Sequence, residues 1–137
     1  MKTYKLKLDE LSTLSKELLK EFTNGVVILR GDLASGKTTF VKEIAKELGI
    51  SEDVTSPTFS LQQCYGETLF HYDIYNHGLE HFLSLGMLEE LDKKGLHFVE
   101  WGDDALVDLL VNVGIDVISI EIEKIEDNKR EYKVCTH

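Results

Sequence analysis

The sequence predicts a three-layer α/β domain with a mixed parallel and antiparallel sheet that takes up the whole chain, residues 1–137. Two continuous runs of apolar residues, 26–29 and 96–99, are typical of strands that helices cover on both faces. Segments with apolar residues at helical spacing alternate with these strands, which favours helices packed on both sides of a sheet. The length of 137 residues suits one compact core, so we expect a single domain.

The elements of the N-terminal half follow from local patterns. Residues 3–8 alternate apolar and polar side chains, which predicts a half-buried edge strand. Apolar residues at helical spacing over residues 11–22 predict a first helix that ends at Asn24 and Gly25. After a glycine-containing loop, the apolar positions of residues 40–48 predict a second amphipathic helix, which the next glycine stops.

The C-terminal half begins with a predicted β-hairpin. Its strands are residues 58–65 and 68–75, which join at Gly66. Residues 79–91 predict a helical stretch, and the apolar strand at residues 96–99 follows it. The last predicted elements are a short helix at residues 105–111 and a closing hairpin made of residues 117–122 and 131–135.

The balance of charges limits the partners that this chain can bind directly. Its formal net charge is −10 at pH 7, and an acidic surface repels nucleic acid. No apolar run approaches the ~20 residues that a membrane-spanning helix needs, and residues 1–5 lack the apolar segment of a signal peptide. We therefore expect a cytoplasmic protein without a membrane partner, in which Cys64 and Cys135 are reduced thiols.

The strongest functional motif lies between the predicted strand at residues 26–29 and the predicted helix at residues 40–48. Residues 31–38, GDLASGKT, fit the phosphate-binding pattern G-x-x-x-x-G-K-[ST] in full. Its glycines allow consecutive N–H groups to face one anion, Lys37 supplies a charge to the β- and γ-phosphates, and the Thr38 hydroxyl is a predicted magnesium ligand. We expect ATP and Mg²⁺ as ligands. The predicted nucleotide-contacting residues of this segment are Asp32, Leu33, Ala34, Ser35, Gly36, Lys37, Thr38 and Thr39.

Acidic residues that organise magnesium and water are expected at the ends of two strands. Asp73 ends the second strand of the predicted hairpin, and Glu100 follows the apolar run at residues 96–99. Ligands of open α/β sheets bind at the carboxyl ends of the strands. Asp73 and Glu100 are therefore candidate catalytic residues, and Glu100 is a candidate magnesium ligand together with Thr38. Trp101, the only tryptophan, comes next and is either a core residue or a neighbour of the site.

Four segments in register along the chain carry a resemblance to a known family: residues 31–40, 54–61, 71–75 and 99–102. In this combination the sequence resembles the TsaE (YjeE) family of bacterial ATPases over nearly its whole length. The resemblance implies an ATPase, with ATP and Mg²⁺ as cofactors, that works in the synthesis of the threonylcarbamoyladenosine modification of tRNA. It also implies two protein partners, TsaD and TsaB. The acidic charge of the chain argues against direct tRNA binding by this chain alone.

The resemblance also assigns roles to residues of this sequence. It implies that residues 56–58 form a switch-like loop near the γ-phosphate, with Thr58 among the catalytic residues. It implies that Asp73 and Glu100 serve magnesium and hydrolysis, and that Trp101 lies beside the nucleotide. These assignments extend the site from the phosphate-binding loop to three further parts of the chain.

Two positions depart from the family pattern. Ala34 stands where the family usually has glycine, and Asn76 stands where an arginine usually follows the aspartate segment. The only arginines are Arg30, whose side chain we expect to point away from the γ-phosphate, and Arg130, which reaches the site only if the closing hairpin folds over it. Because few cations are available to the γ-phosphate, we expect slow hydrolysis by the isolated protein and acceleration by its partners.

Other classes of protein fit parts of the sequence. A small-molecule kinase uses the same phosphate-binding loop and magnesium, although no acceptor site is evident, and it is the principal alternative to an ATPase. His77 and His81 fit the zinc-protease pattern H-x-x-E-H, which requires a third ligand elsewhere. Residues 92–95 and 128–131 are near matches to GTPase motifs at positions where solvated turns are expected. A nucleotide-binding scaffold without turnover is distinguished only by measured hydrolysis.

Overall fold

The computed structural model describes residues 1–32, 35–51, 62–75 and 78–137, which contain one mixed sheet flanked by helices. The strands are β1 (Lys2–Lys7), β2 (Gly25–Arg30), β3 (Gln62–Tyr65), β4 (Leu69–Asp73), β5 (Leu96–Glu100), β6 (Val117–Glu126) and β7 (Lys129–Thr136). The helices are α1 (Leu11–Glu21), α2 (Lys37–Glu47), α3 (Gly78–Ser84), α4 (Met87–Leu91) and α5 (Asp104–Asn112), with a 3-10 turn at Leu8–Glu10 before α1.

The described strands are ordered β1-β7-β6-β2-β5-β4-β3 across the sheet. The centre of the sheet is parallel, because β2 pairs with both β6 and β5, and β5 pairs with β4. Both sides are antiparallel, since β3 pairs with β4 and β7 pairs with β6 and β1. The predicted mixed sheet is confirmed, and β1 lies at its edge as the alternation of residues 3–8 indicates.

Strand β2 shows why helices cover both faces of the sheet. Successive side chains of a strand point to opposite faces, and the four apolar residues of β2 are fully buried. Val27 and Leu29 belong to the core that α1 and α2 cover, which we call the α1–α2 face. Val26 and Ile28 belong to the core that α3, α4 and α5 cover, the α3–α5 face. The predicted three-layer arrangement is confirmed.

The predicted helical stretch at residues 79–91 is divided into two helices. Helix α3 ends at Ser84 and α4 begins at Met87. Gly86, between them, has a φ of 77° and is the N-cap residue of α4. This left-handed conformation interrupts the helix, and glycine adopts it without the steric penalty that other residues meet.

The end of the first helix also differs from its prediction. Helix α1 ends at Glu21, before Asn24 and Gly25. Asn24 Oδ1 instead accepts a hydrogen bond from Gly95 N at 2.8 Å, and Gly25 N donates to Gly95 O at 2.9 Å. These bonds align the starts of β2 and β5. Asn24 and Gly25 therefore connect two distant parts of the chain and do not cap α1.

Both predicted hairpins are present where the structure describes them. Strands β3 and β4 pair around a turn at Gly66, whose φ is 60°, while residues 58–61 lie outside the described residues. The closing hairpin of β6 and β7 is longer than predicted at both strands. Among the helices of the described segments, none is long and apolar enough to cross a membrane.

Candidate functional site

The loop between β2 and α2 requires glycine at two positions of the phosphate-binding pattern. Gly31 has a φ of 150°, and a Cβ there would lie 2.5 Å from both Ile122 O and Ser35 Oγ. Gly36 has a φ of 113° and is the N-cap residue of α2. The backbone therefore turns tightly from β2 into the first turn of an 11-residue helix. Backbone N–H groups at such a helix start bind anions.

Lys37 is the first residue of α2 and lies folded against its own loop. It is only 4% exposed, and Nζ donates hydrogen bonds to Gly31 O at 2.7 Å and to Asp32 O at 2.9 Å. The same nitrogen lies 4.0 Å from the centroid of the Trp101 ring. Neutral carbonyls and an aromatic face are weaker partners for an ammonium group than phosphate oxygens are. The side chain is thus positioned to exchange these contacts for an anion.

The charge of Lys37 is under two opposing influences. Burial lowers its pKa below the usual value. The negative charges of Glu100, Asp73 and Asp32, in that order of strength, act in the opposite direction and favour the ammonium form. Acidic residues from three separate segments therefore act on one buried ammonium group.

Glu100 is brought to the first turn of α2. It is the last residue of β5 and is 4% exposed. Its Oε2 accepts a hydrogen bond of 2.9 Å from Thr38 Oγ1, across 62 residues of sequence. The structure thus places the hydroxyl and the carboxylate of the two expected magnesium ligands side by side.

His71 joins this group, although the sequence alone assigns it no role. It is fully buried in β4, and its Nε2 lies 2.5 Å from Glu100 Oε2. The strand alternation contains the signal that could have found it, because residues 71 and 73 of β4 point to the same face of the sheet. A histidine two positions before Asp73 therefore lies beneath the same edge.

Asp73 lies beside Glu100 at the carboxyl edge of the sheet. The parallel register of β4 and β5 pairs the Cα atoms of the two residues. Asp73 is half-buried, and its Oδ1 accepts a hydrogen bond from Tyr75 N at 2.9 Å. The two acids that the sequence places at separate strand ends are therefore neighbours in the sheet.

Trp101 adopts an unusual backbone conformation next to these acids. Its φ is 69°, and it is the one non-glycine residue with a positive φ in the described part of the chain. Such a conformation costs of the order of 1–3 kcal/mol for a bulky residue, and strain of this kind clusters at functional sites. The ring lies over Lys37 Nζ and packs on Tyr75 with the ring centroids 4.6 Å apart. Trp101 is therefore a neighbour of the loop and only partly a core residue.

The two arginines have different positions. Arg130 on β7 reaches the loop, where its Nε donates a hydrogen bond to Ser35 O at 3.0 Å. Arg30 donates from Nε to Gly102 O at 3.1 Å and forms an ion pair with Asp104 at 2.9 Å. The closing hairpin thus supports the phosphate-binding loop, while Arg30 stabilises the turn between β5 and α5.

A cavity of about 960 Å³ opens beside the loop. Gly36 and Thr39 at the start of α2 line one side of it, and Arg130 and Tyr132 on β7 line another. Lys7, at the end of β1, also contributes to its wall. Thr39, which the sequence predicts as a nucleotide contact, therefore faces a space large enough for a small organic ligand.

The groups around Thr38 fit a magnesium ion that is bound together with a nucleotide. A hydroxyl and a carboxylate are oxygen ligands of the kind that Mg²⁺ accepts, and Mg²⁺ completes its shell with phosphate oxygens and water. No group of three or more His, Cys, Asp or Glu side chains that could hold a metal ion occurs among the described residues. Ser35 Oγ is buried without a hydrogen-bond partner in that same part of the chain, so the loop keeps a polar atom that a ligand would satisfy.

Several predicted positions lie outside the described residues. They are Leu33 and Ala34 of the loop, Thr58 of the switch-like segment, Asn76 and His77. The structure brings together the other predicted residues around the start of α2, namely Asp32, Ser35, Gly36, Lys37, Thr38, Thr39, Asp73, Glu100 and Trp101.

The fold and the loop together define a class of protein. A sheet with a parallel centre, helices on both faces and the G-x-x-x-x-G-K-[ST] sequence between β2 and α2 are typical of P-loop NTPase-like α/β domains. A family profile described as "Threonylcarbamoyl adenosine biosynthesis protein TsaE" matches residues 6–132. The chain belongs to the TsaE family.

Individual relatives extend over most of the chain. It is 38% identical over 126 residues to the tRNA threonylcarbamoyladenosine biosynthesis protein TsaE of Treponema pallidum (strain Nichols), an alignment that covers 90% of this chain and 89% of the relative. It is 33% identical over 135 residues to the protein of the same name from Rickettsia felis, covering 94% and 76% of the two chains. The crystal structure of Bacillus subtilis YdiB is similar with a TM-score of 0.67 at 28% identity, over 98% of this chain and 85% of YdiB.

Proposed function

We propose that this chain is a magnesium-dependent ATPase that acts with TsaD and TsaB in the threonylcarbamoyladenosine modification of tRNA in the cytoplasm. The observation that carries the proposal is the contact between Thr38 Oγ1 and Glu100 Oε2 at the start of α2, beside the buried Lys37. Membership of the TsaE family supports the pathway. The net charge of −10 supports a division of labour in which the partners hold the tRNA.

The residues around α2 suggest how a triphosphate would bind. The N–H groups at the helix start and the ammonium group of Lys37 would hold the phosphates, with Lys37 releasing Gly31 O and Asp32 O to do so. Thr38 and Glu100 would hold Mg²⁺, which when bound neutralises charge on the β- and γ-phosphate oxygens. Asp73, next to Glu100, would orient water for attack on the γ-phosphate.

The cavity beside the loop supports a nucleoside as the remainder of the ligand. It begins at Gly36 and Thr39, so a ligand whose phosphates lie at the helix start would extend directly into it. The aliphatic stem of Lys7 and the side chain of Leu8, which also lines the cavity, offer apolar surface to a base.

A shortage of cations supports dependence on the partners. Arg30 is engaged by Asp104, and Arg130 donates from Nε to the loop backbone at Ser35. A further cation at the γ-phosphate contributes about 10³–10⁵ in rate in related phosphoryl-transfer enzymes. The partners would supply such a cation or order the segment that contains Thr58.

The test is nucleotide binding and hydrolysis with and without the TsaD–TsaB pair. Binding is followed by the emission of Trp101, because its ring contacts Lys37 Nζ and no other tryptophan contributes. We expect ATP and Mg²⁺ to change the emission, the isolated protein to release ADP slowly, and the pair to accelerate release. A turnover of about 10 s⁻¹ for the isolated protein, the median for enzymes, without a response to the pair would contradict the proposal. ADP release that requires an added hydroxyl acceptor would favour a kinase.

A further inference from the structure

His71 is a buried residue of an interior strand that contacts the candidate catalytic residue Glu100. The side chain is 0% exposed in the middle of β4. Its Nε2 lies 2.5 Å from Glu100 Oε2, on the neighbouring strand β5. Its Nδ1 is buried and has no hydrogen-bond partner among the described residues. One ring nitrogen therefore contacts the carboxylate of Glu100, and the other has no hydrogen-bond partner in the described part of the chain.

The partners of Glu100 determine the hydrogen-bond roles. An ionised carboxylate only accepts hydrogen bonds, so His71 Nε2 carries the hydrogen and donates it to Oε2. Thr38 Oγ1 donates to the same oxygen at 2.9 Å. Two donors from two different elements thus hold Oε2, and this fixes the rotation of the carboxylate group. The other oxygen, Oε1, has no hydrogen-bond partner within the described segments.

A purely structural role would favour a different side chain at position 71. Leu69, two residues earlier on β4, and Phe98, the register partner of His71 on β5, are fully buried apolar residues of this face. A buried polar atom without a partner destabilises the folded state relative to a satisfied one. An apolar residue would avoid that penalty, so the imidazole is better explained by what it does to Glu100.

We propose that His71 is a positioning residue, which holds Glu100 by Oε2 and leaves Oε1 as the oxygen available to magnesium or its bound water. The inference rests on the proposed function of Glu100, and it adds a residue to that site. Partners that orient a metal-ligating side chain typically contribute 10- to 100-fold to metal affinity or activity. The hydrogen-bond donor of the ring therefore matters more than its volume.

Two substitutions of His71 distinguish the effect of its hydrogen-bond donor from the effect of its side-chain volume. His71→Gln places an amide N–H near the position of Nε2 and keeps a donor to Glu100, whereas His71→Leu keeps a buried side chain and removes the donor. The matched control is His97→Leu, because His97 is also 0% exposed and lies on the adjacent strand β5, but it faces the opposite side of the sheet. Trp101 emission measures ATP affinity with and without Mg²⁺, and hydrolysis measures the Mg²⁺ concentration for half-maximal rate.

We expect His71→Leu to raise the half-saturating Mg²⁺ concentration about tenfold or more, with little change in ATP affinity in the absence of Mg²⁺. His71→Gln should recover most of the loss, and His97→Leu should keep the Mg²⁺ dependence of the wild type. Equal Mg²⁺ dependence in the wild type and His71→Leu, or equal loss in the Leu and Gln variants, would overturn the inference. Absence of ATP binding by the wild type would instead contradict the proposed function.

Nitrogen-15 NMR of histidine-labelled wild-type protein tests the same contact without nucleotide, metal or any variant of His71. The expected tautomer of His71 carries its hydrogen on Nε2, and Glu100→Gln should shift that nitrogen resonance. A hydrogen on Nδ1 alone would overturn the inference even if His71→Leu does not fold.

Discussion

Two buried histidines on adjacent strands face opposite sides of the same sheet and have opposite kinds of surroundings. His71 on β4 belongs to the α1–α2 face, where it contacts Glu100 and keeps one nitrogen without a partner among the described residues. His97 on β5 belongs to the α3–α5 face. Its Nδ1 accepts a hydrogen bond from Tyr72 Oη at 2.7 Å, and its Nε2 donates to Lys93 O at 2.7 Å.

The difference separates a polar cluster whose ring nitrogens have partners from one that keeps buried polar atoms without partners among the described residues. On the α3–α5 face both ring nitrogens of His97 have hydrogen-bond partners, and His97 also stacks on Phe70 with the ring centroids 4.4 Å apart. On the α1–α2 face, Ser35 Oγ and His71 Nδ1 lack partners within the described residues, and Lys37 is bound to carbonyls of its own loop. Fully satisfied polar networks make a core rigid, whereas buried polar groups without partners destabilise it. Substitutions on the two faces should therefore have different consequences.

The largest expected effect is a loss of stability on the α3–α5 face. Phe82 is fully buried there and packs edge-to-face on Tyr72, with the ring centroids 5.8 Å apart. Phe82→Ala should lower the free energy of unfolding by about 3–5 kcal/mol, because it leaves a cavity in the core. Denaturant titration measures this change. ATP affinity per folded molecule should stay at the wild-type value. A loss of affinity would contradict the proposal that the two faces have different roles.

The next largest effect is expected at the carboxylate of the α1–α2 face. Glu100→Gln keeps the shape of the side chain but removes the charge that would serve magnesium and water. We expect the rate of hydrolysis to fall about 100-fold or more, while the fold persists. Steady-state ADP release measures the rate, and Glu89→Gln, at an exposed position of α4, is the control. Normal hydrolysis by Glu100→Gln would mean that the acid has no part in the reaction.

Removal of the buried ammonium group should change binding more than stability. Lys37→Met should weaken ATP binding at least tenfold, which corresponds to ~1.4 kcal/mol, because the contact with the bridging phosphates is lost. Burial already disfavours this charge, so its removal offsets the lost hydrogen bonds to Gly31 O and Asp32 O. Calorimetric titration measures the ATP affinity, and thermal unfolding measures the stability. If Lys37→Met binds ATP as tightly as the control Lys16→Met does, the loop is not part of the nucleotide-binding site.

The smallest effect concerns the pH dependence of stability on the α3–α5 face. Burial is the largest influence on His97 and lowers its pKa from the ordinary value of 6.5. The folded state therefore favours the neutral ring, and this stability is full above pH 6.5 and is lost as the pH falls towards the folded-state pKa.

The measurement is the free energy of unfolding of the wild type and of His97→Gln between pH 7 and pH 5. The wild type should lose stability more steeply as the pH falls, by at most about 1.4 kcal/mol per pH unit for one proton. Identical slopes would show that the network around His97 contributes nothing to the pH response.

The main elements and the loop were predictable from the sequence because they depend on local patterns. The apolar run at residues 26–29 followed by G-x-x-x-x-G-K-[ST] predicts a buried strand, a tight turn and a helix, and Gly31 and Gly36 adopt the positive φ values that such a turn needs. Local patterns failed where a single residue interrupts a periodic segment, as Gly86 does between α3 and α4. The pattern of apolar residues continues across that glycine, although the helix does not.

The assembly of the candidate site was decided by the tertiary structure. The register of β4 on β5 places Asp73 beside Glu100, and the same pairing brings His71 to Glu100 across 29 residues of sequence. The closing hairpin brings Arg130 to Ser35 across 95 residues, a contact that the sequence leaves open. Strand order and register arise from the packing of the whole sheet against two layers of helices, and spacing along the chain does not encode them. The sequence alone therefore determined the phosphate-binding loop and the candidate acids, and only the folded sheet decided which side chains surround them.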